Sequence, residues 1–209
     1  MEYHHQLIMK SELINNKTSS SCQFFMDGLL EIIGSAGVSA VIKIVTGKED
    51  FSEECVNFSD LHSISNALDT LYGPRGGKGI ALRSGRASLK YFLRAYGEDL
   101  SLNDIDFKMK PTRKRFKDGL SRLMKAYREK FKIDVNLLDD GTTWIWQSLN
   151  CTECQERQSQ GTACQFTEGL LQEFLSWCGG NKNYPIMEIS CCARGDEICQ
   201  YRIDPHPIE

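Results

Sequence analysis

Seven of the nine cysteines in this 209-residue chain fall between Cys151 and Cys199. Cys178 apart, they read as Cys151-Thr-Glu-Cys154, then Ala-Cys164-Gln-Phe, then Glu188-Ile-Ser-Cys191-Cys192-Ala-Arg-Gly195-Asp196-Glu-Ile-Cys199. A chain in which no export signal is legible has little need for so many thiols in so short a span. Nine is also odd, so a purely paired scheme leaves one over. Met1 to Lys17 is polar and carries His4 and His5, with no apolar run before a cleavage site. The longest apolar stretch, Leu29 to Val45, is interrupted by Glu31, Gly34, Ser35, Gly37 and Lys43, so no membrane span is expected. The expected compartment is the cytoplasm, where grouped cysteines favour metal or redox roles over disulfides.

A chain of this length buries a core without covalent staples. The pattern of apolar residues predicts its elements. Cys22 to Ile33 has helical spacing. Ser59 or Asp60 caps a helix running to Tyr72, which Gly73-Pro74-Arg75-Gly76-Gly77 ends. A longer helix runs from about Gly79 to Tyr96, and another from Thr112 to Phe131. The period then changes to two. Ile133, Val135 and Leu137 alternate with polar residues, Asp139-Asp140-Gly141 turns the chain, and Thr143 to Ser148 closes a hairpin. A helix from Thr167 to Cys178 precedes a second hairpin, Tyr184–Cys192 and Ile198–Ile203, around Arg194-Gly195-Asp196. The class is α+β: a four-stranded antiparallel sheet packed with helices, and an N-terminal helical extension. Residues 1–20 read as a flexible tail, 21–58 as a helical, dimerising extension and 59–204 as the domain proper.

Zinc takes four soft or borderline ligands in a tetrahedron. Cys191 and Cys199 flank the second hairpin turn, so their backbones lie close. Cys164 sits at the mouth of the preceding helix, where the helix N-terminus favours a thiolate. Glu188 is three residues before Cys191. Strict alternation puts those two on opposite faces, so a shared site needs a bulge between them. Cys151 and Cys154 form half of a dithiol or metal motif without a second Cys-x-x-Cys at zinc-ribbon distance. With Cys192 they are alternate ligands. Cys22, Cys55 and Cys178 read as packing cysteines.

The cysteine-bearing segment, from Ala163-Cys164-Gln-Phe-Thr-Glu-Gly169 to Glu188-Ile-Ser-Cys191 and Cys199-Gln-Tyr-Arg-Ile, resembles the 4-vinyl reductase domain. That family is similar to the sensor domains of aromatic-responsive bacterial activators and, more distantly, to TRAPP-type vesicle-tethering subunits. The helix Gly79-Ile-Ala-Leu-Arg-Ser-Gly85-Arg86 is similar too, and the resemblance covers roughly residues 60–204. It implies a small-molecule-binding α+β domain that forms homodimers. It also implies a zinc held by Cys164, Glu188, Cys191 and Cys199, whose Glu-x-x-Cys-x7-Cys spacing this chain meets. An iron–sulfur cluster using Cys151, Cys154, Cys164 and one hairpin cysteine stays open. The chain departs from the phenol sensors in having no histidine between His62 and His206.

Trp144 and Trp146 share one face of their strand. They either fill the core or floor an apolar cavity with Phe92, Tyr96, Phe116, Met124 and Tyr127. The expected ligand is hydrophobic or aromatic, a tetrapyrrole among the candidates. Arg83, Arg86, Lys90 and Arg94 form one helical stripe, a solvated face or a contact for a carboxylate through Arg83 or Arg86. Lys108 to Lys117 holds six basic residues, yet the net charge is −3 and no nucleic-acid fold signature is present. Enzyme signatures are missing: no dinucleotide fingerprint follows a strand, and the histidines at 4, 5, 62 and 206 assemble no triad. The function expected is a sensor, carrier or assembly factor. The alternatives are an enzyme or accessory protein of tetrapyrrole vinyl reduction, or an iron–sulfur redox sensor.

Overall fold

A computed structural model describes residues 23–47 and 60–208. The expected tail over 1–20, Cys22, Cys55 and the candidate cap Ser59 lie outside the described residues. The order is α1 (Gln23–Thr46), α2 (Leu61–Tyr96), α3 (Ile105–Lys108), α4 (Thr112–Glu129), β1 (Val135–Asp139), β2 (Trp144–Ser148), α5 (Gln165–Cys178), β3 (Ile186–Ser190) and β4 (Cys199–Ile203). The strands form one antiparallel sheet in the order β1-β2-β4-β3, so both expected hairpins form and their inner strands pair with each other.

Two glycines kink helices that the sequence reading ends. Gly34 (φ 70°) bends α1, which then continues to Thr46. Gly73 (φ 73°) bends α2, and Pro74 starts the next helical stretch, where its missing N–H costs nothing. The expectation that Leu29–Val45 is too interrupted to span a membrane needs correcting. By length and composition α1 is long and apolar enough to cross one. In the fold it packs along α2, burying Phe24, Phe25, Met26, Leu29, Val38, Val41 and Ile42.

The core lies between the helices and one face of the sheet. Trp144 and Trp146 of β2, Tyr201 and Ile203 of β4 and Val135 of β1 all point into it and are buried. Phe116, Leu120, Leu123 and Tyr127 of α4 and Leu170, Leu171 and Phe174 of α5 meet them.

The stripe on α2 is used for tying helices. Arg86 pairs with Glu173 of α5 at 3.0 Å and Lys90 with Glu31 of α1 at 2.6 Å. Arg83 donates to Gly79 O within its own helix. The basic run is likewise absorbed: Lys110 and Arg122 hold Asp118, Lys117 pairs with Asp139 at 2.9 Å, and Arg113 lies over the Trp144 ring.

Glu168, on the first turn of α5, has its carboxyl pushed up to about 7 by burial. A folded-state value above the ordinary 4.5 means the protonated form suits the fold. The stabilisation is complete below pH 4.5 and is lost as pH rises toward 7. Glu168→Gln should therefore flatten the decline in urea-melt stability between pH 5 and 7; an unchanged slope would count against this burial penalty.

Candidate metal centre

The cysteines of the loop after β2, the start of α5 and the β3–β4 turn converge on one buried spot. Cys164 occupies the N-cap position of α5. Its Sγ lies 3.5 Å from Cys151 Sγ, 3.7 Å from Cys191 Sγ and 3.8 Å from Cys199 Sγ. Cys154 Sγ is 3.3 Å from Cys199 Sγ. Two four-donor groups result, Cys151, Cys154, Cys164 and Cys199, and Cys164, Glu188, Cys191 and Cys199, each with its ligand atoms within 4.8 Å of one another.

The local sequence explains the convergence. The β3–β4 register shifts between Glu188 and Ser190. That bulge turns Glu188 and Cys191 to the same inner side, as a shared site requires. Asp196 Oδ2 accepts from Cys191 N at 2.7 Å, and Gly195 (φ 100°) closes the turn. Cys192 N donates to Cys199 Sγ at 3.3 Å, a contact that suits a thiolate acceptor. Cys192 Sγ itself stays at the rim, 3.7 Å from Cys199 Sγ, and belongs to neither group.

Two buried carboxylates hold the start of α5 in place. Glu188 Oε2 accepts from Ala163 N at 3.0 Å and Cys164 N at 3.1 Å. Glu153, 1% exposed, accepts from Phe166 N at 2.6 Å and Thr167 N at 3.1 Å. Both satisfy amides that a helix start leaves open, and the helix dipole favours their charge. Burial opposes it, pushing Glu153 up to about 8 and Glu188 up to about 9. Arg157, paired with Asp69 at 2.8 Å, donates to Ala163 O at 2.8 Å and so ties this loop to α2.

The thiols do not share protons equally. Hydrogen bonding from Cys154, Cys164 and Cys199 draws Cys151 well below the usual thiol range. The same close contacts, with Cys151 first among them, push Cys164 and Cys199 up. A divalent cation resolves this competition, since it collects every ligand as a thiolate. Sulfurs around one tetrahedral ion with bonds of 2.3 Å stand about 3.8 Å apart, close to the separations found. The residues present fit such an ion.

Residues 145–205 match the 4-vinyl reductase domain. This matched stretch contains all four donors expected from the sequence and the alternates Cys151, Cys154 and Cys192. Solved structures with the same fold include the phenol-responsive sensory domain of the transcription activator PoxR with phenol. It covers 86% of this chain and 89% of its own at 15% identity, with a TM-score of 0.54. An Fe(II) unliganded H-NOX protein from K. algicida covers 87% and 94% at 13% identity, TM-score 0.51. The IWP-051-bound H-NOX from Shewanella woodyi covers 88% and 93% at 12% identity, TM-score 0.51. At these identities the likeness is one of fold. No curated protein matches the chain.

The aromatic residues expected to line a ligand cavity are packed on one another. Phe116 meets Trp144 and Tyr184 edge-on, with ring centres 6.3 and 4.8 Å away. Tyr127 meets Trp146 edge-on at 5.3 Å and Phe131 at 5.6 Å. Phe131 continues to Tyr96, Phe92 and Phe24, while Met124 packs partly buried beside them. These rings form a continuous wall from the α1–α2 pair to the sheet. The Nε1–H of Trp146 is buried in that wall without a hydrogen-bond partner. Arg86 lines two open clefts on the surface instead. Glu153 and Tyr201, whose hydroxyl donates to Cys164 O at 3.4 Å, were not singled out from sequence. Glu153 had one signal, its place inside Cys-Thr-Glu-Cys.

Proposed function

We propose that this chain is a small-molecule sensor domain of the 4-vinyl reductase type, in which a structural zinc fastens the second hairpin to the start of α5. The observation that carries the reading is the convergence of Cys164, Glu188, Cys191 and Cys199 on one buried point within the matched segment. Separations of 3.7 and 3.8 Å from Cys164 to Cys191 and Cys199 suit a single ion. They favour it over a four-iron cluster, in which each thiolate binds a different iron and the sulfurs must spread further. Zinc rigidifies the wall that runs from Cys164 through Tyr201 to Trp146, neighbours on β4 and β2.

The ligand is aromatic or otherwise largely apolar, with one hydrogen-bond acceptor. The relative named for phenol supports the class, and the orphaned Trp146 Nε1–H supplies the donor. A buried donor left unmatched costs about 1–3 kcal/mol, so a ligand that opens the ring wall recovers that penalty. A panel of phenols, larger apolar aromatics and free-base tetrapyrroles, scored by tryptophan fluorescence and thermal shift, tests the reading. A ligand at ~100 times its Kd adds about 2.7 kcal/mol, or roughly 5–10 °C in a chain of this size. Trp146→Phe should weaken it about tenfold or more. If no panel member moves either signal in metal-loaded protein, ligand sensing is the wrong reading.

A further inference from the structure

The buried cluster holds more donors than one tetrahedral ion uses. Its two four-donor groups share two members, Cys164 and Cys199. We propose that the centre is dinuclear, with Cys164 and Cys199 as bridging thiolates between two divalent, thiol-seeking ions. Cys151 and Cys154 complete one ion; Cys191 and Glu188 complete the other. This rests on the metal reading above and adds a second ion to it.

The arrangement of atoms carries the inference. The bridging sulfurs stand 3.8 Å apart. On one side Cys151 lies 3.5 Å from Cys164, and Cys154 lies 3.3 Å from Cys199. On the other, Cys191 lies 3.7 Å from Cys164. A thiolate keeps lone pairs for a second metal after binding the first, so each bridge is chemically complete.

Glu188 supplies an independent observation. Its side chain is only 4% exposed. One oxygen is occupied by the amides of Ala163 and Cys164, while Oε1 is buried with no partner. Buried polar atoms without partners are rare and ask for one, and a cation at this position supplies it. Glu153 differs: each of its oxygens accepts from an amide of α5, so it serves as a cap and not as a ligand. Charge points the same way. Six anionic donors around one dication leave a net charge of about −4 out of water, and a second dication reduces it to about −2.

Full-length protein, reduced and handled without oxygen, is titrated with Co2+, and cobalt per chain is measured beside the paramagnetic resonance signal. The expected result is saturation at two cobalt ions per chain. The resonance should grow through the first equivalent and fall to under half its value per cobalt at the second, because thiolate bridges couple the spins. Cys151→Ser/Cys154→Ser and Glu188→Gln/Cys191→Ser should each keep one cobalt with an undiminished signal. Saturation at one equivalent overturns the second ion while leaving the single metal standing. Two equivalents with additive signals overturn the bridge. No binding at all overturns the metal reading itself. The titration of the unaltered chain decides between these outcomes even where a variant fails to fold.

Discussion

Cys164→Ser should release the bound metal and lower the melting temperature by about 10 °C. Cys164 belongs to both four-donor groups, so no regrouping of the remaining thiols replaces it. Serine keeps the backbone intact: the amide still donates to Glu188 and the carbonyl still accepts from Tyr201. The loss is then assignable to the sulfur. Structural zinc contributes about 10–16 kcal/mol where it organises a whole small fold. One ligand of four in a domain with its own aromatic core is worth a fraction of that, roughly 3–4 kcal/mol. At about 2–4 °C per kcal/mol for this size, the shift follows. Two controls separate the metal from the thiol. A chelator should lower the melting temperature of the unaltered protein toward that of the variant, and leave the variant unmoved. Cys178→Ser removes a thiol that is equally buried but belongs to neither donor group; it should keep full metal content. A Cys164→Ser protein that retains its metal and melts within about 2 °C of the original would remove the cluster from the centre of the fold.

The sequence made this cluster legible because ligand spacing is local. Glu188, Cys191 and Cys199 lie on one hairpin, and the bulge that aligns them follows from asking that a glutamate and a cysteine three apart share a face. The helices and strands were legible for a similar reason, since period 3.6 and period 2 are properties of short windows. What stayed hidden depends on contacts between distant segments. The Gly34-Ser35-Ala36-Gly37 stretch reads as an end to α1, yet only Gly34 takes a positive φ and the helix resumes. Glu153 reads as a solvated acid until α5 places two open amides above it. Trp144 and Trp146 share a face, as period 2 requires, but no local pattern tells a cavity floor from a packed wall. That is decided by Phe116 and Tyr127, which α4 brings from another part of the chain.

Gly85→Ala should destabilise the protein by about 3 kcal/mol or more, although alanine is the better helix former. The reason lies where α2 crosses α5. A Cβ on Gly85 would meet the carbonyl oxygen of Phe166 at 2.1 Å, and one on Gly169 would meet the carbonyl oxygen of Leu82 at 2.1 Å. The two helices touch backbone to backbone through paired glycines. A side chain in the way can rotate aside; a carbonyl cannot, so the helices must separate. Overpacking usually costs about 1–3 kcal/mol, and this contact belongs at or beyond the upper end. It exceeds the roughly 1 kcal/mol gained by exchanging glycine for alanine in a helix. Phe166 is also the residue whose amide Glu153 caps, two positions after Cys164. Separation at the crossing therefore shifts the start of α5 against the β3–β4 turn, and metal affinity should fall at least about tenfold, as when the groups that orient ligands are lost. Gly79→Ala is the matched comparison on the same helix. Nothing lies within 4 Å of its added carbon, so the propensity gain stands alone and the protein should become more stable by about 0.5–1 kcal/mol. Opposite signs in parallel urea melts, with metal affinity lowered only for Gly85→Ala, would tie the helix crossing to the metal centre; equal effects would show that the crossing yields and the two are independent.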